Sequence, residues 1–322
     1  VYGSVMLQRP EERKRIKGIL INKFRGDLRL FQPGVKMIED LCGVPVIGVL
    51  PYFKDIFVEE EDNMQLATKA RHAAGNGKVS VAVALLRHIS NFTDFNKIER
   101  DSRVNLYYAD SAEDISKADI IIIPGSKSTI ADLGYLRKSG MAQAIIKAAE
   151  SGKTVVGICG GYQMMGTMIS DPEGIEGSIS CMPGLGLLPM HTVMNKEKTT
   201  TQVRFGLNGD NSCDMEGYEI HNGRTEADNG SDIKPLCIKE DGTQDGCMAG
   251  ERCMGTYIHG ILDNSRFIDF LLHPYTQTEH SKSETDNWKR FKDEQYDKLA
   301  ELIRSNVDMK LVYEILQNDN DD

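Results

Sequence analysis

The chain has 322 residues, a formal net charge of −10 at pH 7 and 27% charged side chains. The acidic balance argues against a non-specific nucleic-acid or anionic-membrane binder, because both need a basic surface. No apolar run approaches the roughly 20 residues that a membrane helix requires. The seven cysteines form no CxxC pair and favour a reduced compartment over a disulfide framework or a zinc ribbon. We therefore expect a cytoplasmic protein with no nucleic-acid or membrane partner.

The first 62 residues follow a strand–helix–strand pattern. Residues 16–22 are apolar and predict a buried strand, residues 28–42 predict an amphipathic helix, and residues 46–50 predict a second strand. This order is typical of a parallel sheet. The acidic and polar composition that follows predicts a linker over residues 63–78.

A second alternating pattern begins at residue 79 and predicts a domain that runs to residue 322. Short apolar runs at 79–85, 104–108, 119–123 and 154–158 predict strands, with helical patterns between the later ones. Such a pattern predicts an α/β fold with a flavodoxin-like open parallel sheet, whose sites lie at the carboxyl ends of its strands. Residues 184–255 predict turns and short strands, and residues 286–316 predict one long amphipathic helix.

The strongest chemical signal is a cysteine at the end of the fourth of these strands. The run from Gly157 to Gly161 has the form G-x-C-x-G, which is the thiol counterpart of the nucleophile elbow. A side chain on so tight a strand-to-helix turn projects outward, and its neighbours must lack a Cβ. The start of the next helix favours a thiolate, and the N–H of Gly160 can bind an oxyanion. We therefore interpret Cys159 as a nucleophile rather than as a buried structural thiol.

A thiolate nucleophile needs a general acid and base, which is most often histidine. His259 ends an apolar run and is followed by glycine, so it is expected at the end of a strand. His191 and His221 remain alternatives when the residues alone are considered, although a binding or core role suits His221 better.

Several longer motifs resemble the cobyric acid synthase family, whose members hydrolyse glutamine in cobalamin biosynthesis. From residue 79 onward the matching motifs are RHISNFTDF, IIPGSKSTIADLGYLR, VVGICGGYQMMG, GLGLLP, GYEIHNGRT and GTYIHGILDN. Residues 1–62 are similar to the end of the family's ATP-dependent domain through KGILINKFRGD and LCGVPVIGVLPY. The resemblance implies a class I-like glutamine amidotransferase domain over 79–322, preceded by the last part of a P-loop-type, dethiobiotin-synthetase-like domain over 1–62.

The resemblance implies that Cys159 is the nucleophile and that His259 is its acid and base. The oxyanion and the glutamine are expected to bind at Gly125, Ser126, Gly160 and Gln163, although Ser126 or Ser128 could equally cap the next helix. Where ordinary class I amidotransferases place a glutamate two residues after the histidine, this chain has Ile261. The sequence therefore predicts a Cys–His dyad and does not reveal what orients the imidazole.

The remaining expectations concern the complete enzyme of that family. No P-loop is recognisable, so the chain is interpreted as the C-terminal part of a longer protein. Asn22 is expected to contact a nucleotide, and Glu219, His221 and Arg224 to frame the glutamine pocket or a domain interface. We expect no cofactor or metal in the amidotransferase domain, and ATP with Mg²⁺ in the complete enzyme.

The expected partners are glutamine and, for the complete enzyme, a corrinoid, adenosylcobyrinic acid a,c-diamide. The rival assignments are cobyrinic acid diamide synthase, the cell-wall lipid amidotransferase, a non-catalytic domain of the same fold, and a free cysteine hydrolase. The motifs NFTDF and INKFRGD favour the cobyric acid synthase family over the first two. An intact pair of Cys159 and His259 argues against a non-catalytic domain.

Overall fold

The computed structural model describes residues 1–58, 78–210, 212–231, 233–276 and 287–318, so the predicted linker lies outside the described residues except for Lys78. The elements up to residue 123 are α1 (Tyr2–Met6), α2 (Pro10–Arg13), β1 (Ile19–Phe24), α3 (Leu28–Cys42), β2 (Val46–Pro51), β3 (Val79–Ala84), β4 (Val104–Ala109), α4 (Ala112–Lys117) and β5 (Ile120–Ile123). Two single turns of 3-10 helix, Phe92–Phe95 and Ile98–Arg100, lie between β3 and β4.

The later elements complete the second half of the chain. They are α5 (Thr129–Lys138), α6 (Met141–Glu150), β6 (Thr154–Ile158), α7 (Gly160–Met165), β7 (Met168–Ser170), β8 (Cys181–Pro183), β9 (Met190–Leu207), β10 (Met215–Ala227), β11 (Cys237–Lys239), β12 (Gln244–Asp245), β13 (Cys247–Ala249), β14 (Cys253–Thr256), β15 (Ile258–His259), the 3-10 turn Ile261–Asp263, α8 (Ser265–Leu272), α9 (Asn287–Asn306) and α10 (Met309–Asn318).

The chain divides into two units, Val1–Glu59 with Lys289–Asp322, and Glu60–Trp288. The C-terminal helices therefore group with the N-terminal segment, whereas the sequence placed them in the domain 79–322. In the first unit β1 and β2 pair in parallel, and α3 begins with Asp27, whose side chain accepts a hydrogen bond from Arg29 N at 2.9 Å. Such a side chain satisfies a donor that the first turn of a helix leaves unpaired.

The prediction of one long C-terminal helix is wrong, because the helix breaks between α9 and α10. Val307 forms an isolated β-bridge to Gly48, and Asp308 N donates to Ile47 O at 2.8 Å. These backbone groups bond to β2, so they cannot continue the helical ladder. The Asp308 side chain then accepts from Leu311 N at 3.0 Å and starts α10.

The second unit is built on a sheet whose described strands run in the order β13-β14-β6-β5-β3-β4. From β14 to β4 the pairs are parallel, and β13 is an antiparallel edge strand. All four residues of β5 have no solvent exposure, as expected for a parallel strand that is covered on both faces. The predicted α/β class is confirmed, but the sheet is mixed rather than wholly parallel.

A second, mostly antiparallel sheet follows, and it corrects the prediction of short strands over 184–255. Its central pair is the long ribbon of β9 and β10, which continues to β15 on one side and to β11 and β12 on the other. Tyr218 in β10 pairs with His259 in β15. The ribbon therefore fixes the backbone of His259, and β6 of the first sheet leads directly to Cys159. Within the described ranges, no helix has the length and apolar character needed to cross a membrane.

Candidate active site

Cys159 occupies the turn between β6 and α7 in a strained conformation. Its φ is 52° and its ψ is −111°, a backbone conformation that residues other than glycine rarely adopt. Its N–H donates to Thr256 O in β14 at 2.8 Å, which anchors the turn to the neighbouring strand. Strain of this kind persists only where the surroundings enforce it, and it clusters at functional sites.

The glycines around Cys159 are required by close packing. A Cβ on Gly157 would lie 2.7 Å from Met165 Sδ and 2.7 Å from Tyr162 N. A Cβ on Gly161 would overlap the carbonyl oxygen of Ile123 at the end of β5. The G-x-C-x-G pattern therefore allows α7 to turn back against the sheet immediately after the cysteine.

His259 is buried at the end of β15, beside the ribbon. Its ring stacks on Tyr218, with the centroids 5.3 Å apart and the planes at 20°. Gly217 permits this approach, because a Cβ there would lie 2.5 Å from Ile258 Cγ2 and 2.6 Å from His259 O. The imidazole of His259 therefore packs against the ring of Tyr218 where β10 and β15 lie close together.

Charged neighbours decide the protonation of His259. Burial lowers the pKa of His259, but the hydrogen bond to Asp94 and the nearby Cys159 outweigh burial and raise this pKa to about 10. His259 Nε2 is buried and makes no hydrogen bond with any described residue. The Cys159 thiol is directed towards Ile220 O, with Sγ 3.6 Å from that oxygen. The sulfur and the ring are thus neighbours, but the thiol is turned towards the backbone of β10.

Asp94 contacts both His259 and the residue that follows it. Its Oδ2 lies 2.7 Å from His259 Nδ1, and its Oδ1 accepts a hydrogen bond from Gly260 N at 3.0 Å. Asp94 is only 3% exposed and belongs to the 3-10 turn after β3. The sequence did not single out this residue as functional, although it lies in the NFTDF motif.

The loop after β5 places Gly125 close to His259 and Ser126 close to Gly160. A Cβ on Gly125 would lie 3.2 Å from His259 Cε1, and a Cβ on Gly160 would lie 3.0 Å from Ser126 N. None of the hydrogen bonds found among the described residues uses the N–H of Ser126 or of Gly160 as a donor.

The hydroxyl of Ser126 has a separate structural task. It donates to Asp132 Oδ2 at 2.7 Å and accepts from Ser128 N at 2.9 Å. The Ser126 hydroxyl therefore bonds to the residue before α5 and does not cap the N–H groups of its first turn, while the backbone of Ser126 lies close to Gly160. Ser128 is the N-cap residue of α5, but its side chain makes no capping hydrogen bond.

Gln163 is brought to the site region, but its side chain lies beneath the surface. Its Nε2 donates to Asn222 O at 2.9 Å and to Tyr257 OH at 3.1 Å, and its Oε1 accepts from Thr129 Oγ1 at 3.2 Å. The amide is 2% exposed and connects α7, β10 and α5. Both donor hydrogens of Gln163 are consequently engaged within the protein.

The two alternative histidines, and Glu219 and Arg224 of β10, lie in different environments. His221 stacks on Tyr257 with centroids 3.7 Å apart, and burial lowers the pKa of His221. His191 lies on β9, and its Nδ1 is 3.1 Å from Asp228 Oδ1. Glu219 is buried against Lys239 at 3.0 Å, and the exposed Arg224 pairs with Glu226. Of the two alternative bases, His221 interacts electrostatically with His259, and His191 pairs with Asp228.

Asn22 is exposed and lies within β1, which continues to Phe24. The positive φ of 54° at Lys23 marks an irregularity inside that strand. No group of three or more His, Cys, Asp or Glu side chains in the described part of the chain is arranged to hold a metal ion.

The arrangement defines a cysteine-dependent class of α/β enzymes, in which a thiol on a strand–helix turn is paired with a histidine from another strand. Residues 80–267 match the model of the family described as the CobB/CobQ-like glutamine amidotransferase domain. The chain therefore belongs to the CobB/CobQ-like glutamine amidotransferase family.

Curated relatives extend beyond that domain. The chain is 56% identical over 320 residues to a cobyric acid synthase of Phocaeicola vulgatus, covering 99% of this chain and 64% of the relative. It is 58% identical over 321 residues to a cobyric acid synthase of Bacteroides fragilis, covering 100% of this chain and 64% of the relative. The chain thus spans just under two thirds of the length of these relatives, and the resemblance inferred from the motifs is confirmed at the level of the family.

Among solved structures, "Structure of PurLQS from Thermotoga maritima" aligns with a TM-score of 0.46 at 17% identity, covering 62% of this chain and 100% of that chain. So low a TM-score supports no statement about activity.

Proposed function

We propose that this chain hydrolyses glutamine at Cys159 and His259 and supplies the ammonia for amidation in a longer enzyme. The observation that carries this function is the thiol of Cys159, forced into the site by a positive φ beside the buried imidazole of His259. Membership of a glutamine amidotransferase family supports glutamine as the amide donor.

The first step is attack on the substrate carboxamide. Cys159 Sγ bonds to the Cδ of glutamine, and the carbonyl oxygen gains charge between the N–H groups of Gly160 and Ser126. Protonated His259 gives its Nε2 proton to the amide nitrogen, which leaves as ammonia while a thioester remains on Cys159.

Water completes the reaction. His259 Nε2 takes a proton from water as the water oxygen attacks the thioester carbon, and the carbon–sulfur bond breaks. Glutamate leaves, and the proton held on His259 restores the starting state. The balance is one glutamine and one water consumed, and one glutamate and one ammonia formed.

The assignment is tested by glutamine turnover of Cys159→Ala and His259→Asn beside wild type, with Cys181→Ala as the control because Cys181 is an exposed thiol. Wild type and the control are expected to release ammonia and to be labelled by a diazoketone analogue of glutamine. Both site variants are expected to lose turnover and to keep the circular-dichroism spectrum of the folded chain. Turnover by a folded Cys159→Ala would exclude Cys159 as the nucleophile.

For the complete enzyme we propose ATP-dependent amidation of corrinoid side-chain carboxylates, with adenosylcobyrinic acid a,c-diamide as the acceptor. The names of the relatives from Phocaeicola vulgatus and Bacteroides fragilis support this assignment. The unpaired state of all seven cysteines favours action in the cytoplasm.

The first unit is proposed to be the end of the ATP-dependent domain, with Asn22 as a nucleotide contact. The parallel pair of β1 and β2 with α3 packed beside it suits the last part of such a domain. These residues do not make a nucleotide site by themselves, because Asn22 is exposed and the chain has no P-loop motif.

A chimera tests this half of the function. The N-terminal part of the Bacteroides fragilis relative is joined to this chain, and amidation of the corrinoid diamide is assayed with glutamine or with an ammonium salt. The chimera is expected to use both nitrogen donors, and its Cys159→Ala form is expected to use the ammonium salt alone. Loss of both activities in Cys159→Ala, with the fold intact, would contradict a role for this domain as ammonia supplier.

A further inference from the structure

The imidazole of His259 has one partner that the dyad does not include. Asp94 binds His259 through both the ring and the backbone that follows it, with Oδ2 2.7 Å from Nδ1 and Oδ1 3.0 Å from Gly260 N. Ile261, where ordinary class I amidotransferases carry an acidic residue, is fully buried and apolar. A carboxylate is thus present at His259, but it comes from a segment 165 positions away in the sequence.

The contact at Nδ1 has a chemical consequence for the other ring nitrogen. A carboxylate can only accept a hydrogen bond, so Nδ1 carries a hydrogen whenever Asp94 is ionised. Nε2 is then the nitrogen that gains and loses a proton in turnover, and it is the one without a hydrogen-bond partner among the described residues. Asp94 therefore fixes the tautomer that the acid–base steps at Cys159 require.

The segment that carries Asp94 is anchored to the segment that follows His259. Lys97 Nζ donates to Asp263 O at 2.8 Å, which is a second contact between the two segments. Asp94 N donates to Asn91 O at 2.9 Å, and Asn91 closes the turn with a φ of 50°. The adjacent Phe95 is fully buried and packs edge-on against Tyr108. The position of the carboxylate is consequently set by the protein before any substrate binds.

We propose that Asp94 is the positioning residue of His259, so that the site works as a Cys159–His259–Asp94 triad assembled from the turn after β6, the end of β15 and the 3-10 turn Phe92–Phe95. This inference rests on the proposed glutaminase function. Asp94 acts through His259 and does not touch the substrate. Among the described residues, the titratable groups found at His259 are Asp94, Cys159, Tyr218 and His221, and the hydrogen bond at Nδ1 is to Asp94.

The main variant is Asp94→Asn, in which the amide oxygen can still accept from Gly260 N while the NH₂ group faces His259 Nδ1. This arrangement favours the wrong tautomer, so kcat is expected to fall roughly 100-fold or more with little change in KM for glutamine. Asp94→Glu keeps a carboxylate and is expected to recover part of the activity. The control is Asp228→Asn, since Asp228 contacts a histidine Nδ1 outside the site at 3.1 Å.

A second readout does not depend on glutamine hydrolysis. The rate at which iodoacetamide alkylates Cys159 is measured as a function of pH, with the modified residue identified by mass spectrometry. Wild type, Asp94→Glu and Asp228→Asn are expected to share one profile, and Asp94→Asn is expected to need a higher pH, because His259 no longer holds its proton beside the thiolate.

The outcomes separate the inference from the function on which it rests. A wild-type chain without turnover would remove the glutaminase function, and the alkylation profiles would still decide the role of Asp94. If Asp94→Asn is folded and matches wild type in turnover and in alkylation profile, Asp94 only closes its loop and the inference is overturned. If Asp94→Asn does not fold, the alkylation profile of Asp94→Glu is the deciding measurement. A profile that matches wild type supports the inference, and a profile displaced to higher pH overturns it.

Discussion

Gly161 lies directly against the carbonyl oxygen of Ile123, so that a Cβ at this position would overlap that oxygen and the carbonyl carbon behind it. Ile123 ends β5, and Gly161 is the second residue of α7. The helix after Cys159 therefore lies in direct backbone contact with the end of the adjacent strand. This contact holds the turn that strains Cys159.

Gly161→Ala is expected to destabilise the protein by about 3 kcal/mol or more and to abolish labelling of Cys159 by the glutamine analogue, because neither backbone can move away cheaply. Denaturant unfolding and labelling measure the two effects. The matched control is Gly134→Ala within α5, where the nearest atom to the new Cβ is Met182 Cε at 3.8 Å. This control is expected to be neutral or to stabilise by up to about 1 kcal/mol. Equal stability of the two variants would refute the packing argument.

The sequence assigned Gln163 to glutamine binding, whereas its side-chain amide is buried and hydrogen-bonded within the protein. Gln163→Leu removes donors from Asn222 O and Tyr257 OH in a buried setting. The free energy of unfolding is expected to fall by about 1–3 kcal/mol, since buried polar groups lose their partners. Gln202→Leu, at an exposed position of β9, is expected to change stability little. An unchanged stability together with a raised KM for glutamine would instead favour a binding role for Gln163.

The strained strand–helix turn at Cys159 was predictable because its signal is local. An apolar run followed by G-x-C-x-G demands a strand, a strained turn and a helix, and all of these lie within a few residues of Cys159. Asp94 gave no such signal, because its role depends on a tertiary contact between two loops that are distant in the sequence. Only the placement of the NFTDF turn beside Gly260 makes that carboxylate part of the site.

The long ribbon of β9 and β10 was missed for a related reason. Much of β9 beyond Met194 is polar and exposed, so its residues lack the alternation of apolar and polar side chains that marks a half-buried strand. The pairing of each strand with the other, rather than burial against the core, keeps this part extended. The break between α9 and α10 could not be predicted from local sequence either, because it is caused by a tertiary contact, the bridge from Val307 to Gly48.

Asp245 makes the stability of the second unit depend on pH. Burial raises the pKa of Asp245 from 3.8 to about 6, against the hydrogen bonds from Thr256 and Tyr257 N that lower it. The folded protein therefore binds this proton more tightly than the unfolded chain does. Its contribution to stability is complete below about pH 4 and is lost as the pH rises through about 6.

Asp245→Asn removes this titration. Between pH 4 and pH 6, the free energy of unfolding of wild type minus that of the variant is expected to fall by about 1–3 kcal/mol. Denaturant unfolding measures the difference. The protein is kept dilute, because the sequence pI of about 5.3 lies in this pH range and a low net charge promotes association. The control is Asp241→Asn, because hydrogen bonds from Thr243 lower the pKa of Asp241 and its contribution has the opposite sign. A difference that stays constant with pH would show that folding does not shift the pKa of Asp245.

The C-terminal helices are expected to depend on one glycine of β2. A Cβ on Gly48 would lie 2.5 Å from Asn306 O and 2.9 Å from Val307 Cα, at the break between α9 and α10. Gly48→Ala is therefore expected to separate these helices from β2. Limited proteolysis should then cleave near Val307 at least about tenfold faster. This rate change corresponds to a loss of roughly 1.4 kcal/mol in the free energy of local opening. Labelling of Cys159 is expected to be unchanged, because the elbow belongs to the other unit. Gly3→Ala is the control, since a Cβ added at Gly3 would meet no atom within 4 Å and α1 tolerates alanine. Equal cleavage rates for both variants would mean that the bridge to Gly48 does not hold the C-terminal helices in place.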